Sequence, residues 1–579
     1  MATPDSVYDF IIAGGGTSGC VVAARLAEDP NVKVLVIEAG QHNEHLENVH
    51  MVGGWSQNFD KETDWNVIST PGAGVNNRQV KLSRGKFLGG SSGCNGTLMV
   101  KGMKQDYDDW NLPGWSGDDF FKYMAKYNQA ENFHTKDWFK ETEGAHGHEG
   151  HVHTEPHDLA PISNFIGESM VSKGLPLDHD MFSAGENPHG CGHSVRTVYQ
   201  GLRTTGADFI TKQKPRDNLH LMVETHVEKV IIEKDEQGNL RATGVRVVQA
   251  DGKFVELKAS KEVIVSGGAY CSPNILNRSG IGAKNELEQH SITTLVDLPG
   301  VGKNLQDHLI VFMFYEANRE GLTTDSLLYH GNALEKALAQ WKEEKKGPMT
   351  VFPFGIFAYA RIDERLADSK IWNSAPRKEG RDPMGLTPKQ PQIEFFTTEC
   401  YGGPKQYDQF PIDNKHAFSM IAELFAPKSR GTVTLRNADA TAVPVVDCNY
   451  LSDPLDLEVL AEACAFGNEI IMEGAGTKDL VKGSWPPELT HHKYKNREDW
   501  KEYVKDNATT CYHASGTCAA GTADNPNAVV DEKLQVRGVK GLRVADVSIM
   551  PTVHNGHTQM PAYGIGEKAA DLIKEAWKS

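Results

Sequence analysis

Residues 7–38 open Val7-Tyr-Asp-Phe-Ile-Ile-Ala-Gly-Gly-Gly-Thr-Ser-Gly19 and close Val34-Leu-Val-Ile-Glu38. This reads as a strand, a glycine turn, a helix starting near Thr17, and a second strand that ends in an acid. Gly14, Gly16 and Gly19 carry the G-x-G-x-x-G spacing. The first makes the tight turn, the second lets backbone approach a pyrophosphate, and the third lets helix and strand pack closely. A pyrophosphate belongs at the positive end of the helix, beside Thr17 and Ser18. Glu38, nineteen residues past Gly19, is placed to bind a ribose hydroxyl and would repel a 2′-phosphate. Flanking strands and terminal acid together make the chain a dinucleotide binder.

At 579 residues the chain exceeds one core and implies several domains. Its 39% hydrophobic and 24% charged content fits a soluble globular protein. A net charge of −17 with no basic stripe argues against nucleic acid or an anionic membrane as partner. The mixed run Lys342-Glu-Glu-Lys-Lys346 reads as a solvated helix face. No apolar stretch of about 18 residues occurs. The acid-bearing start runs straight into the first strand, leaving no room for a signal peptide, and Trp577-Lys-Ser579 is no peroxisomal address. The expected location is cytoplasmic. Nine scattered cysteines without a C-x-x-C pair fit reduced thiols. The sequons at Asn95, Asn277 and Asn507 are then chance.

Alternating segments at Leu219–Val223, Val227–Ile232, Thr243–Val248 and Phe254–Leu257 predict strands, with turns at Asp235-Glu-Gln-Gly238 and Asp251-Gly252. Lys261–Ser266 reads as a buried strand, Gly541–Asp546 as another, and Pro561–Lys578 as a helix. Between about 310 and 510 the pattern changes, mixing strands such as Gln392–Phe396 and Gly431–Leu435 with amphipathic helices. One helix, Pro454–Met472, sets Leu457, Val459, Leu460, Cys464 and Phe466 near one face. The expected fold is therefore α/β plus α+β. A Rossmann-like dinucleotide-binding domain spans 1–160, 215–312 and 512–579. A substrate domain on an antiparallel sheet flanked by helices spans 161–214 and 313–511.

Three further motifs stand apart. Arg84-Gly-Lys-Phe-Leu-Gly-Gly-Ser-Ser-Gly-Cys-Asn95 offers a backbone turn able to approach a flat ring and a phosphate. Gly268–Gly282 runs from a glycine-rich strand end into a short helix. Cys511-Tyr-His513 pairs with His554-Asn-Gly-His557-Thr-Gln-Met-Pro561. In this order the motifs resemble the glucose–methanol–choline (GMC) oxidoreductases, nearest in kind to the fungal alcohol, aryl-alcohol and formate oxidase-like members. The resemblance runs from about residue 7 to 575. It departs at Cys94, where an aliphatic residue is usual, and at Met99, where an aromatic or Ala is usual. It implies FAD, held by the N-terminal turn, by Gly89, Gly90, Ser91, Asn95 and Gly96, by Val227, by Asp546, and by His557 with Thr558. It also maps His513 and His557 onto the family's catalytic pair.

Removing a hydroxyl proton while the α-hydride leaves for flavin N5 needs a group with a pKa near operating pH, and imidazole suits. Two imidazoles in one pocket repel when both are charged, so at most one carries a proton. His513 is the expected base, and His557 is expected to hold the substrate oxygen. Electrons pass to O₂ or another acceptor. Formate oxidases of the family carry Arg at the second position, so His557 favours a neutral alcohol or aldehyde hydrate. The rival reading is a non-redox, hydroxynitrile lyase-like flavoprotein. His554 is expected to be a loop residue near the site. The run from His146 to His157 is expected to be structural, with no metal site. Cys94 is expected to pack like an aliphatic residue, with a covalent flavin link as the alternative. Phe352, Phe354 and Phe357 are core or pocket lining. The sequence leaves open the substrate, oxidase or dehydrogenase character, and oligomeric state.

Overall fold

A computed structural model describes residues 7–401 and 414–578. The first sheet has a parallel centre. Strand Val7–Ala13 lies between Val34–Ile37 and Phe254–Val265, with Leu219–Met222 outside the former and Leu542–Val544 outside the latter. Ile11, Ile12, Val34 and Leu35 have no exposed surface, as expected of strands covered on both faces. Helix Thr17–Leu26 covers one of those faces and is itself covered by helix Gln559–Ala576.

Phe254–Leu257 and Lys261–Ser266 are read from the sequence as separate segments, but they form one strand, Phe254–Val265. Its first half pairs antiparallel with Leu240–Gln249, and its second half pairs parallel with Leu542–Val544. The period-2 pattern changes midway because the first half has a solvated face and the second does not.

The second sheet is antiparallel throughout, in the order Val481–Ser484, Leu309–Ala317, Ala417–Leu424, Ile393–Thr398, Phe354–Ala360, Gly190–Gly192. The boundary expected at 312 falls inside Leu309–Ala317: the polar run Gln306-Asp-His308 marks a site residue, not a domain edge. Residue parity divides the sheet cleanly. Val311, Met313, Phe395, Met420 and Ala422 pack toward helix Pro454–Glu473. Ile310, Phe357, Phe396 and Ile421 face the other way, toward the first domain.

Helix Pro454–Glu473 departs from the expected single apolar face. Val459, Leu460, Ala463, Ile470 and Ile471 are all sealed, while Leu457 is only partly buried. Sheet, helix Arg497–Asn507 and helix Pro161–Ser172 enclose it together. The charged run 342–346 closes helix Ala333–Glu344 and is largely solvent-exposed. Among the described residues, no helix is long and apolar enough to cross a membrane.

The first turn depends on an atomic-scale fit. Gly14 has φ +119°, and a Cβ on Gly19 would sit 2.0 Å from the Gly14 carbonyl oxygen. Gly19→Ala is therefore expected to cost about 1–3 kcal/mol through overpacking. A thermal melt of the variant checks this, and an unchanged midpoint would contradict the fit.

Candidate active site

A single cavity of about 660 Å³ runs from Glu38 and Arg278 at one end to His513 and His557 at the other. At the Glu38 end, helix Thr17–Leu26 has no side-chain cap and no acid in its first turn. Gly14, Gly16, Thr17 and Ser18 line the cavity there, so that helix end is open to an anion. A Cβ on Gly16 would have no protein atom nearer than 3.9 Å, because it would enter the cavity itself. Gly90 closes in from the second glycine motif, with a would-be Cβ 3.0 Å from Gly16 Cα.

Glu38 is buried and accepts N–H bonds from Gly15 at 3.0 Å and Gly40 at 2.8 Å. Burial pushes its carboxyl up to about 7, against the pull of those two amides. Asp546 accepts from the Gly268 amide at 2.9 Å and the Ser272 hydroxyl at 2.6 Å, tying the last strand to the third motif. Tyr270 Oη, Asn274 Oδ1 and an Arg84 Nη line the same cavity, are buried, and have no protein partner. These features fit FAD: a helix end for its pyrophosphate, an acid for its ribose, and unpaired polar atoms along its length.

At the far end, the imidazoles of His513 and His557 face each other with ring centroids 4.7 Å apart. Tyr512, at φ +62°, turns the chain so that His513 points back over the antiparallel sheet. Asp307 fixes the turn by accepting the His513 amide at 2.7 Å, the Tyr450 hydroxyl at 2.5 Å and the Thr510 hydroxyl at 2.6 Å. The other imidazole approaches from just before helix Gln559–Ala576, where the His557 amide donates to the Val100 carbonyl at 3.1 Å.

Beneath them stand residues that the sequence reading did not single out. Glu394 and Glu423 occupy directly opposed positions on adjacent strands, on the cavity face of the sheet. Glu394 Oε2 lies 2.7 Å from His557 Nε2. Glu423 Oε1 lies 2.9 Å from His308 Nδ1 and 3.2 Å from His513 Nδ1, and those two nitrogens are 2.9 Å apart. The signal for the acids was present in the sequence: each is a lone carboxylate in an otherwise uncharged strand.

The surroundings displace the two imidazole pKa values in opposite directions. Burial works against a charge on His557, but Glu394 and then Glu423 outweigh it and raise its pKa. Burial, the charge of His557 and Arg84 together hold His513 well below the ordinary histidine range. A proton is therefore favoured on His557 over His513.

The remaining expected residues divide in two. Ser91, Asn95, Gly96, Val227 and Thr558 line the cavity. Gly19 and Gly89 do not; they shape the turns behind it, Gly89 at φ +96° with its would-be Cβ against Ala207. Ser18 donates its hydroxyl to the Ala562 carbonyl at 2.6 Å, so its side chain ties two helices together. Asn95 accepts from Arg203 at 2.8 Å. Cys94 is buried against Val49 and Phe87, and burial pushes its thiol up to about 11, which favours packing over nucleophilic linkage. His554 is sealed beside Tyr107, and burial drives it down to about 3. The histidine-rich run disperses: His146 contacts Asp180 at 3.0 Å, His148 contacts Glu141 at 2.9 Å, and His153 contacts Glu131 at 2.7 Å. Phe352 and Phe354 line the cavity, and Phe357 lies one layer behind.

Glu423 belongs to two clusters whose donor atoms lie within 4.8 Å of one another, one with His308 and His513, the other with Glu394 and His557. Their close contacts of 2.7–3.2 Å are hydrogen-bond lengths. A tetrahedral zinc-type cation would hold its ligands roughly 3.3 Å apart, whereas His557 with Glu394 and His308 with His513 stand at the hydrogen-bond distances of 2.7 and 2.9 Å.

Geometry and chemistry thus describe a nucleotide-type cavity that ends at a pair of imidazoles. The sequence signatures of the GMC oxidoreductases match residues 8–310 and 427–566. Dehydrogenase pkfF of Emericella nidulans is 31% identical over 594 residues, covering 99% of this chain and 94% of its own. Oxygen-dependent choline dehydrogenase of Sinorhizobium medicae is 32% identical over 573 residues, covering 98% and 95%. A variant of Aspergillus oryzae RIB40 formate oxidase superposes with a TM-score of 0.90 at 30% identity, covering 100% and 99%. The chain belongs to the GMC oxidoreductase family, whose cofactor is FAD and whose members are oxidases and dehydrogenases acting on CH–OH groups.

Two outcomes follow for the cofactor end. Gly16→Ala is expected to fold but to lose flavin, because its methyl group takes cofactor space; the absorbance ratio of flavin to protein measures this. Acid precipitation of the wild type is expected to leave free flavin in the supernatant, and yellow colour retained in the pellet would instead establish a covalent link.

Proposed function

We propose that this protein oxidises a neutral alcohol, or the hydrate of an aldehyde, that carries an apolar or aromatic group. The observation that carries the reading is the pair of imidazoles 4.7 Å apart at the end of the cofactor cavity, with pKa values displaced in opposite directions. When bound, FAD supplies the hydride acceptor. Neutral His513 takes the hydroxyl proton, and cationic His557 stabilises the oxygen as negative charge develops on it. Glu394 keeps that cation in place at 2.7 Å.

The walls support the substrate class. Trp55 stacks against Phe352 at 4.6 Å between centroids, Phe352 against Phe354 at 4.2 Å, and Phe354 meets Phe396 at 5.2 Å. This aromatic series leads to His557, whose ring is 6.1 Å from Phe396. Glu394 offsets the charge of His557, which stands where formate oxidases of the family carry Arg, so formate is disfavoured even though a formate oxidase shares the fold. Electrons then pass to O₂ or another acceptor, and the cytoplasm is the proposed site of action.

An anaerobic absorbance titration with aryl, alkyl and sugar alcohols tests the reading. Loss of the flavin band with an aryl or alkyl alcohol supports it, and the speed of its return in air separates oxidase from dehydrogenase. A flavin that no donor bleaches would favour the lyase. His513→Ala is expected to lower the rate of bleaching by about 10²–10⁴-fold with flavin retained. A wild-type rate in that variant would remove His513 from the mechanism. At high pH, activity is expected to fall as His557 loses its proton above its raised pKa, visible as the alkaline limb of a rate–pH profile.

A further inference from the structure

His513 is held along its inner edge by two groups to which no catalytic role has so far been given. Its Nδ1, His308 Nδ1 and Glu423 Oε1 form a triangle with sides of 2.9, 2.9 and 3.2 Å. His308 and Glu423 are fully buried, so no bulk water competes for these atoms. Without a proton inside it, the triangle would press three lone pairs together. At least one N–H must therefore point inward, from His513 or from His308.

The outer edge of the ring decides which. A proton is favoured on His557, which leaves His513 as the available base. A base facing the cavity needs a free lone pair at Nε2. A neutral ring with Nε2 free carries its proton at Nδ1. We infer that Glu423, together with His308, positions the base: His308 Nδ1 accepts the Nδ1–H of His513 at 2.9 Å, the Glu423 carboxylate lies 3.2 Å from the same nitrogen as its counter-charge, and the Nε2 lone pair is so presented to the substrate.

This assignment rests on the proposed role of His513, and it gives that role a structural origin. The same carboxylate accepts the Cys511 thiol on its other oxygen at 3.2 Å, so it cannot rotate away from the triangle without losing that bond. When His513 takes the substrate proton, an O–H bond breaks and an Nε2–H bond forms. The resulting imidazolium keeps its Nδ1–H on His308, and the negative charge of the carboxylate opposes the burial penalty. The arrangement parallels the acid behind the histidine of serine hydrolases, where an amide in the acid's place leaves the geometry intact but selects the wrong tautomer.

The test is nitrogen NMR of the purified holoenzyme labelled at histidine, with the His513 signals assigned by their absence in H513N. Wild-type His513 is expected as the Nδ1–H tautomer, and E423Q is expected to move it toward Nε2–H while flavin content stays unchanged. An Nε2–H tautomer in the wild type overturns the inference, as does an unchanged tautomer in E423Q. The wild-type spectrum alone distinguishes the two tautomers, even if E423Q fails to fold. Undiminished flavin bleaching in H513A would overturn the proposed function instead, whatever the tautomer.

Discussion

Two carboxylates stand directly opposite each other on neighbouring strands, sealed from water, and the reaction centre depends on how they are tolerated. Like charges in that position destabilise a sheet, and an unpaired buried carboxylate costs several kcal/mol. Here His557 answers Glu394, while His308, His513 and the Cys511 thiol answer Glu423. Acids and imidazoles are therefore mutually obligatory. A one-residue slip of either strand would turn its acid toward helix Pro454–Glu473, where Phe395 now meets Phe466. The register of the antiparallel sheet thus places both acids beneath the imidazole pair.

The two domains divide the work. The inserted sheet provides the acids and an apolar floor, but neither catalytic imidazole. Both imidazoles lie on chain that returns from that sheet to the cofactor domain, between strand Thr509–Thr510 and helix Gln559–Ala576. The acids of one domain and the imidazoles of the other thus meet at the far end of the nucleotide cavity.

The cofactor end was legible because its constraints are local. Gly14, Gly16, Gly19 and Glu38 lie within one strand–turn–helix–strand unit, and their spacing encodes a backbone geometry that few other residues permit. His513 and His557 were legible only as members of motifs, since nothing in their spacing says that the rings meet. Glu394, Glu423 and His308 were missed because both faces of their sheet are covered. Period-2 alternation normally contrasts apolar with polar residues, and here it contrasts one buried apolar face with another. In such a strand a single acid looks like noise until its register partner on the next strand is known. The division at 312 cuts strand Leu309–Ala317, because a change of pattern near residue 310 does not locate the end of an element.

The tie between Ser18 and the Ala562 carbonyl spans 544 residues of chain. It joins the first helix to the helix that covers it, alongside the buried contact of Arg25 with Glu567. At about 5–20 residues per second on the ribosome, the first helix waits roughly 30–110 s for its cover. Throughout that interval Val21 and Val22 lack their native packing, and the edge of strand Phe254–Val265 lacks Leu542–Val544. The nucleotide-binding unit is written first but completed last. The helix pair cannot close until residues near 567 have been synthesised.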